Sequence, residues 1–191
     1  MRRITTLMGA AAIATIATAA QAEKWDMPMA YAATNFHSEN GAMFAECVTE
    51  GTGGDLEIVT HPSGSLFKGN EIRRAVQTGQ ANIGERLLSA HQNENPLYGV
   101  DSIPFLVSSF DEHEKLWEIA APTIEEALAE DNLVYLYSVP WPPQGLYTNK
   151  PVESVADLEG VKFRSYSTAT ARMAELTGML PVQVEAAELS Q

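Results

Sequence analysis

The sequence predicts an α/β fold in which helices alternate with the strands of a largely parallel sheet, arranged as two lobes around a cleft. Short β-prone runs and stretches of helical periodicity follow one another along the chain. Residues 133–139 are almost all apolar and β-prone, which is typical of a strand buried on both faces of a parallel sheet. The prolines within residues 140–143 then form a crossover, after which the alternation begins again.

The composition is that of a globular protein, and it excludes several functional classes. The chain has 191 residues, about the size of one domain, and 45% of them are hydrophobic. Its 25 acidic and 12 basic side chains give a formal charge of −13, which disfavours binding to nucleic acid or to an anionic membrane. An anionic ligand would therefore need a locally cationic pocket. Cys47 is the one cysteine, so no internal disulfide can form, and we expect it to be a small core residue.

The first 22 residues are organised like a secretory signal peptide. A basic head at residues 1–3 precedes an uncharged stretch over 4–20 and the Ala-Gln-Ala junction of residues 20–22. We therefore expect cleavage after Ala22. A membrane anchor, the alternative, would need about 20 strongly apolar residues, whereas threonine and alanine dilute this stretch. The mature chain is expected in a bacterial periplasm and not across a membrane, since no comparable run follows.

Residues 23–144 are predicted to form the first lobe. Trp25, Met27 and Met29 alternate with other residues, which is the period of a strand. The next helix is expected to begin at a Ser38 cap, because apolar residues then recur at helical spacing up to the glycines of 51–54. The remaining elements are a strand over 56–60, a helix capped by Asn70 and ended by Gly79, a strand over 81–83, a helix capped near Ser109 and kinked or restarted at Pro122, and the strand over 133–139.

Residues 145–191 are predicted to begin a second lobe. Ser154 and Asp157 form a capping box for one helical turn, which Gly160 closes. The elements that follow are a strand over 161–165, a helix over 167–176 closed by Gly178, a strand over 180–184 and the opening of a helix at Glu185. Because two strands seldom make a finished sheet, we expect the chain to be the N-terminal fragment of a longer protein, with this lobe incomplete.

Few residues stand in a pattern typical of a metal, cofactor or catalytic site. His37, His61, His91 and His113 are too far apart in sequence for a local metal motif. The glycines of residues 51–54 lack the lysine and hydroxyl residue of a phosphate-binding loop. No serine or cysteine lies in a recognisable nucleophile motif. The sequence therefore predicts no metal, no cofactor and no catalytic residue.

Arg164 is the strongest candidate for a ligand contact. In the strand over 161–165, Val161 and Phe163 face one side while Lys162 and Arg164 face the other. Arg164 also lies at the carboxyl end of its strand and just before a helix N-terminus, where open α/β sheets bind anionic ligands. On these grounds alone, an anion clamp and a surface salt bridge are equally supported.

Several short motifs, taken in their order and spacing, resemble one family. They are Phe-Ala-Glu at 44–46, Pro-Ser-Gly-Ser-Leu at 62–66, Asn-Glu-Ile at 70–72, Val-Gln-Thr-Gly at 76–79, Pro-Phe-Leu at 104–106, Asn-Lys-Pro at 149–151 and Asp-Leu-Glu-Gly-Val-Lys-Phe-Arg at 157–164, followed by Gly178, Pro181 and Glu188. From residue 33 to its end, the chain is similar to the periplasmic solute-binding proteins of tripartite ATP-independent periplasmic (TRAP) transporters, the DctP family.

The resemblance implies a type II periplasmic-binding fold that closes on an organic acid and delivers it to the TRAP membrane subunits for uptake driven by an ion gradient. It implies neither catalysis nor a cofactor. The family arginine that pairs with the ligand carboxylate corresponds to Arg164, and a family polar contact corresponds to Ser167. Gln144 stands where many members have a second arginine, and Ala186 stands where they have a pocket aromatic.

These departures disfavour a C4-dicarboxylate or sialic acid as the ligand. Trp141, Tyr147 and Phe36 would line a more apolar wall, which suggests a monocarboxylate with a hydrophobic or aromatic body. His37 and Glu85 complete the candidate ligand contacts. Two other functions stay open, namely a periplasmic enzyme that uses Glu85 and His37 as acid and base, and an ABC-type or sensory binding protein of the same fold.

Overall fold

The computed structural model describes residues 22–189, so the predicted signal peptide lies outside the described residues except for Ala22. The strands and main helices are, in chain order, β1 (Glu23–Pro28), α1 (Phe36–Gly51), β2 (Leu56–His61), α2 (Gly69–Gln77), α3 (Phe110–Glu130), β3 (Lys162–Ser165), α4 (Thr168–Leu176) and β4 (Leu180–Gln183). Short 3₁₀ helices lie at Leu88–His91, Pro96–Ser102, Val155–Leu158 and Ala186–Glu188. In this part of the chain, β1 pairs with β2 and β3 pairs with β4, both in parallel.

The first βαβ unit, which comprises β1, α1 and β2, has paired backbones and a shared apolar cluster. Its strands pair over six residues, from Glu23 opposite Leu56 to Pro28 opposite His61. Removing apolar side chains from water supplies the main favourable contribution to folding. The buried members of the cluster are Met27, Met29, Ala45, Ile58 and Ile83.

Helix α1 begins earlier than the sequence pattern predicted. Its N-cap is Asn35, whose side chain accepts a hydrogen bond from the backbone N–H of His37 at 3.0 Å. The predicted cap, Ser38, is wrong: its buried hydroxyl donates instead to the backbone oxygen of Tyr31 at 3.0 Å. Both residues are good caps, but only Asn35 has the extended backbone that an N-cap requires.

Packing explains which face of α1 is buried. A Cβ at Gly41 would lie 2.8 Å from the sulfur of Met29, so the glycine lets the helix approach β1 closely. Ala45, one turn later, is also buried. Cys47 is exposed, so the expectation of a core cysteine is wrong: it follows Ala45 by two residues, which on a helix points to a different face.

The caps of the next two helices differ in how far the sequence predicted them. Helix α2 is capped by Lys68 rather than by Asn70, and the carboxylate of Glu71 accepts a hydrogen bond from the backbone N–H of Lys68 at 3.0 Å. Helix α3 begins after Ser109 as predicted, and the Ser109 hydroxyl accepts from the backbone N–H of Glu112 at 3.2 Å. Pro122 lies inside α3, which continues through it as a single helix.

Two predicted strands are wrong. Residues 81–83 form no ladder, and Glu85 instead makes one isolated bridge with Met29. Residues 133–139 form neither a helix nor a strand: within the described chain they pair with no strand, and Val134 is 86% exposed. A strand requires a neighbour whose backbone groups it can bind, and neither two-stranded sheet of residues 22–189 includes this segment.

The second βαβ unit, which comprises β3, α4 and β4, is smaller than the first. Its strands pair over four residues, and its buried cluster consists of Leu158, Ala174 and Met179, with Phe163 packed against them. The predicted capping box is confirmed, since the Asp157 carboxylate accepts a hydrogen bond from the backbone N–H of Ser154 at 2.7 Å. The strands predicted over 161–165 and 180–184 are present, within one residue at each end.

The two units contact each other through residues that follow β1 and β4. Ala186 packs against the buried cluster of Ala30, Tyr31 and Ile72. Next to this contact, the Nη1 atom of Arg86 lies 3.3 Å from the Oε2 atom of Glu185. The carboxyl ends of strands from both units therefore border one region, which is where open α/β sheets bind ligands.

Candidate functional site

Tyr31, Phe36, His37 and Trp141 form an aromatic cluster at this region. The ring centre of His37 lies 4.2 Å from that of Phe36 and 4.2 Å from that of Trp141. Trp141 meets Tyr31 at 5.1 Å and Phe36 at 5.0 Å, both edge to face, a geometry that is favourable for aromatic pairs. The cluster joins the residues after β1 to the connecting segment over 133–153.

The backbone around α1 holds three of these rings in place. Asn35 caps the helix, so Phe36 and His37 lie in its first turn. The Ser38 hydroxyl then ties that turn to the backbone oxygen of Tyr31. One side of the cluster is therefore fixed by a helix start and by a buried hydrogen bond, which makes it a rigid wall.

Glu85 lies next to this cluster. Its backbone N–H donates to the Pro28 oxygen at 3.1 Å, which fixes the residue beside the end of β1. Burial raises the pKa of the Glu85 carboxyl to about 7, although the Arg86 guanidinium and the Ala30 backbone N–H act in the opposite direction. The Oε2 atom of Glu85 is buried and has no hydrogen-bond partner among residues 22–189.

His37 is a second buried polar group with an unused atom. The residue is 5% exposed, and burial lowers the pKa of its imidazole to about 4. The ring is therefore neutral at pH 7 and carries one N–H. Its Nε2 atom is buried and makes no hydrogen bond within the described part of the chain.

Arg164 projects from the end of β3 with part of its guanidinium unused. Its Nε donates to the backbone oxygen of Val184 at 2.9 Å, and its guanidinium carbon lies 5.0 Å from the ring centre of Tyr166. Among residues 22–189, no carboxylate lies within 4.0 Å of it. The half-buried side chain is thus held in direction by one hydrogen bond and a cation–π contact, without an internal ion pair.

Tyr31 marks the place where charges from both units come together. Burial raises the pKa of its hydroxyl, the charges of Glu85 and Glu185 raise it further, and the charges of Arg86 and Arg164 lower it. Four charged side chains from both sides of the cleft therefore lie close enough to act on one hydroxyl group.

Arg86 is a site residue that the sequence analysis missed. It forms the ion pair with Glu185, and its Nε–H points at the Nε2 atom of His91 at 3.4 Å. An arginine can only donate hydrogen bonds, so Nε2 of His91 accepts the one from Arg86. The Nδ1 atom of His91 therefore carries the ring proton and donates a hydrogen bond to Glu94 at 2.8 Å. The position of Arg86 directly after Glu85 was the available signal, but its partner Glu185 is 99 residues away in sequence.

An ion network around the buried Arg73 side chain adjoins Arg86 through His91. Glu94, which accepts from His91, also binds Arg73 at 2.6 Å, and Arg73 makes a second ion pair with Asp131. The Arg73 side chain is only 8% exposed and lies over the ring of Tyr98. This network connects α2 with the end of α3 and fixes His91, on which Arg86 rests.

A cavity of about 610 Å³ adjoins the aromatic cluster. His37, Glu85, Arg86 and Trp141 belong to its wall, which continues past apolar side chains of α3 such as Ile124. Arg164 does not line this cavity. A volume of this size accommodates a small molecule.

The other predicted site residues are distributed unevenly. Ser167 is buried as the N-cap of α4, and its hydroxyl accepts from the backbone N–H of Thr170 at 3.2 Å. Ala186 packs beside Tyr31 at the contact between the units. Gln144 is exposed and bonds to the neighbouring backbone, while Tyr147 is 87% exposed.

These positions define what the region can do chemically. It combines a guanidinium without an internal carboxylate, an aromatic wall and two buried polar atoms without partners, which suits the binding of a small anion with a polar ring. In residues 22–189, no three His, Cys, Asp or Glu side chains are grouped so that they could hold a metal ion. No helix in that range is long and apolar enough to cross a membrane.

Comparison with solved structures identifies similar proteins. A TRAP solute-binding protein specific for pyroglutamate, from an unidentified marine microbe, is 64% identical with a TM-score of 0.88 over 90% of this chain and 56% of that chain. Two extracytoplasmic solute receptors of Bordetella pertussis that bind pyroglutamic acid, DctP6 and DctP7, are 47% and 44% identical with TM-scores of 0.85 and 0.86. In each case the alignment covers 88% of this chain and 56% of the receptor.

The fold class predicted from the sequence is confirmed by these likenesses: it is the α/β fold of type II periplasmic-binding proteins. The chain spans 56% of the length of these solved proteins. The model of the family described as bacterial extracellular solute-binding protein, family 7, matches residues 29–191. The chain therefore belongs to family 7 of the bacterial extracellular solute-binding proteins, the DctP family.

Proposed function

We propose that this chain carries the binding site of an extracytoplasmic solute receptor of a TRAP transporter, and that its ligand is pyroglutamate. The observation that carries the proposal is the 64% identity, over nine tenths of the chain, to a TRAP solute-binding protein specific for pyroglutamate. Two more receptors with the same ligand are 47% and 44% identical. Pyroglutamate is a monocarboxylate, as the sequence departures suggested, but its ring is a polar lactam rather than a hydrophobic body.

In this proposal Arg164 binds the ligand carboxylate. A guanidinium presents parallel N–H donors that match the two oxygens of a carboxylate, and such charge-assisted pairs are among the stronger hydrogen bonds. The Nε contact to Val184 fixes the direction of the side chain and leaves its outer N–H groups for a ligand. The absence of a carboxylate partner within the described residues supports this role over a surface salt bridge.

The aromatic cluster forms the wall against which the ring of the ligand packs. Tyr31, Phe36 and Trp141 present apolar surface, and Trp141 bridges the other two at 5.1 and 5.0 Å. Burying a small ring against such surface is favourable by roughly 25 cal/mol per Å² of apolar area. Gln144 and Tyr147 are left out of this arrangement, because the Gln144 amide donates to the Gly145 backbone oxygen and Tyr147 is 87% exposed.

The remaining parts of the proposal concern location and partners. The signal-like residues 1–22 support export to the periplasm followed by cleavage after Ala22. The loaded receptor would deliver its ligand to the TRAP membrane subunits. Its family is one of solute-binding receptors rather than of enzymes, so Glu85 and His37 are assigned to binding and not to acid and base catalysis.

The test is a calorimetric titration of the full-length mature protein with matched ligands. L-Pyroglutamate should bind tightly, 2-pyrrolidone should not bind because it lacks the carboxylate, and succinate should bind far more weakly because it lacks the ring. Ligand recovered after incubation should be unchanged. Binding of succinate as tight as that of pyroglutamate, or no binding of pyroglutamate at all, would refute the assignment of the ligand.

A further inference from the structure

Two buried polar atoms at the site have no described role. The Oε2 atom of Glu85 and the Nε2 atom of His37 are both buried, and neither has a hydrogen-bond partner in residues 22–189. Leaving such a group unsatisfied costs about 1–3 kcal/mol, so proteins rarely keep one without a use. Both residues lie on the wall of the same cavity and both adjoin Tyr31.

The chemistry of the two atoms is complementary. An ionised carboxylate can accept hydrogen bonds but cannot donate them, whereas a neutral imidazole can donate one through its N–H. A lactam presents one N–H donor and one C=O acceptor side by side on the edge of its ring. The two unused atoms thus match the two polar groups that pyroglutamate carries beyond its carboxylate.

We propose that Glu85 and His37 recognise the amide edge of the ligand, with Oε2 of Glu85 accepting from the lactam N–H and Nε2–H of His37 donating to the lactam oxygen. This inference rests on the proposed function, and it names the residues that would distinguish a lactam from other cyclic acids. Arg164, in the second βαβ unit, would then bind the ligand carboxylate, while the first unit would form the hydrogen bonds to the lactam ring.

The surroundings of both side chains favour these roles. The charged and titratable groups that face the Glu85 carboxyl are the Arg86 guanidinium and the hydroxyls of Tyr31 and Tyr137. Arg86 favours the ionised carboxylate, and the N–H of a ligand would favour it further. His37 is held between Phe36 and Trp141, with ring centres at 4.2 Å on both sides, so its ring can rotate little away from the site.

The test compares two ligands that differ in one atom. In 5-oxotetrahydrofuran-2-carboxylate, a ring oxygen replaces the lactam N–H, while the carboxylate and the ring C=O are retained. Wild-type full-length protein should bind L-pyroglutamate at least about 10-fold more tightly than this lactone, since a hydrogen bond to a charged group is lost. In Glu85→Leu, which has a similar size but no acceptor, the two dissociation constants should become equal within about 3-fold.

His37→Phe tests the other half of the proposal. It keeps an aromatic ring between Phe36 and Trp141 but removes Nε2. Because both ligands have the ring C=O, affinity for both should fall by about 10-fold while the lactam-to-lactone ratio of the wild type is preserved. A variant that still binds pyroglutamate as the wild type does would overturn the role of His37.

An arginine control separates this inference from the proposed function. Arg164→Ala should weaken both ligands together and leave their ratio unchanged, since both have the carboxylate. If wild type binds pyroglutamate but folded Glu85→Leu keeps the full preference for the lactam, the recognition by Glu85 is wrong and the proposed function stands. If wild type binds neither ligand, the proposed function fails and the lactam recognition fails with it. Circular dichroism establishes that each variant is folded.

Discussion

The two βαβ units of this chain share a local plan and differ in how deeply it is buried. In the first, β1 and β2 pair over six residues and enclose a cluster of buried side chains that includes Met27 and Ile58. In the second, β3 and β4 pair over four residues, and every residue of β4 is exposed. The first unit is therefore more deeply buried than the second, which carries Arg164 of the candidate site.

The two units also contribute different kinds of residues to the candidate site. The first unit provides fixed groups, since Tyr31 and His37 are held by caps, a buried hydrogen bond and ring contacts. The second provides Arg164 on a short strand, together with Glu185 and Ala186 at the contact between the units. In the proposed function, the first unit would supply the aromatic wall for the ligand and the second unit would supply Arg164 for its carboxylate.

The largest expected loss of stability is predicted by comparing two arginine substitutions, one near the first βαβ unit and one in the second. Arg73, near the first unit, is 8% exposed and binds Glu94 and Asp131, whereas Arg172 on α4 is 63% exposed and binds Glu175 alone. Arg73→Ala removes two ion pairs, but Glu94 and Asp131 are 44% and 40% exposed and Glu94 keeps its hydrogen bond with His91, so the loss should be about 1.5–3 kcal/mol of unfolding free energy. Arg172→Ala should cost less than about 1 kcal/mol. Urea unfolding of the full-length protein measures both, and equal losses would contradict the comparison.

The next expected effect is that the ionisation of Glu85 makes the stability of the folded protein depend on pH. The pKa of its carboxyl is raised to about 7 in the folded protein, so its contribution to stability is present at low pH and lost as the pH rises through 7. The ligand-free Glu85→Gln variant should therefore gain stability relative to wild type between pH 5 and pH 8, by up to about 3 kcal/mol. The control is Glu175→Gln on the exposed face of α4, which removes a carboxylate that does not adjoin the candidate site. Parallel profiles for wild type and Glu85→Gln would contradict the burial of this carboxyl.

A smaller effect is expected at two helix ends. Gly79 after α2 and Gly178 after α4 both have positive φ, 72° and 75°, where a residue with a Cβ is strained by about 1–2 kcal/mol. A Cβ at Gly79 would contact nothing within 4 Å, and one at Gly178 would meet the carboxylate end of the exposed Glu159 side chain, which can move aside. Gly178→Ala and Gly79→Ala should therefore destabilise the full-length protein by similar amounts. Urea unfolding measures both losses, and a clearly larger loss at Gly178 that is relieved by adding Glu159→Ala would contradict this expectation.

Local patterns in the sequence predicted those parts of the fold that depend on neighbouring residues. The period-two run around Trp25, the Ser109 cap and the box of Ser154 with Asp157 are all present, because each depends on residues within a few positions. The prediction of a strand over 133–139 is wrong because an apolar run forms a strand only when another strand pairs with it. Its residues have no such partner within the described chain.

The same limit applies to the site. Arg164 could be singled out because strand alternation and its place before α4 depend on local sequence. Arg86 could not, because its partner Glu185 is brought to it only by the contact between the two units. His37 and Glu85 stood among the candidates, but that each buries one unused polar atom beside Tyr31 follows from tertiary packing alone.

The most direct test of the account is the affinity of full-length protein for L-pyroglutamate with Arg164 changed. Removing one partner of a buried charge pair costs about 2–5 kcal/mol, so Arg164→Ala should bind at least roughly 30-fold more weakly than wild type at both low and high ionic strength. Arg164→Lys should also bind clearly more weakly, because an ammonium cannot form the two-pronged contact. Arg172→Ala, on the exposed face of α4, should bind as wild type does. Near-wild-type affinity of a folded Arg164→Ala protein would remove Arg164 from the site and contradict the account.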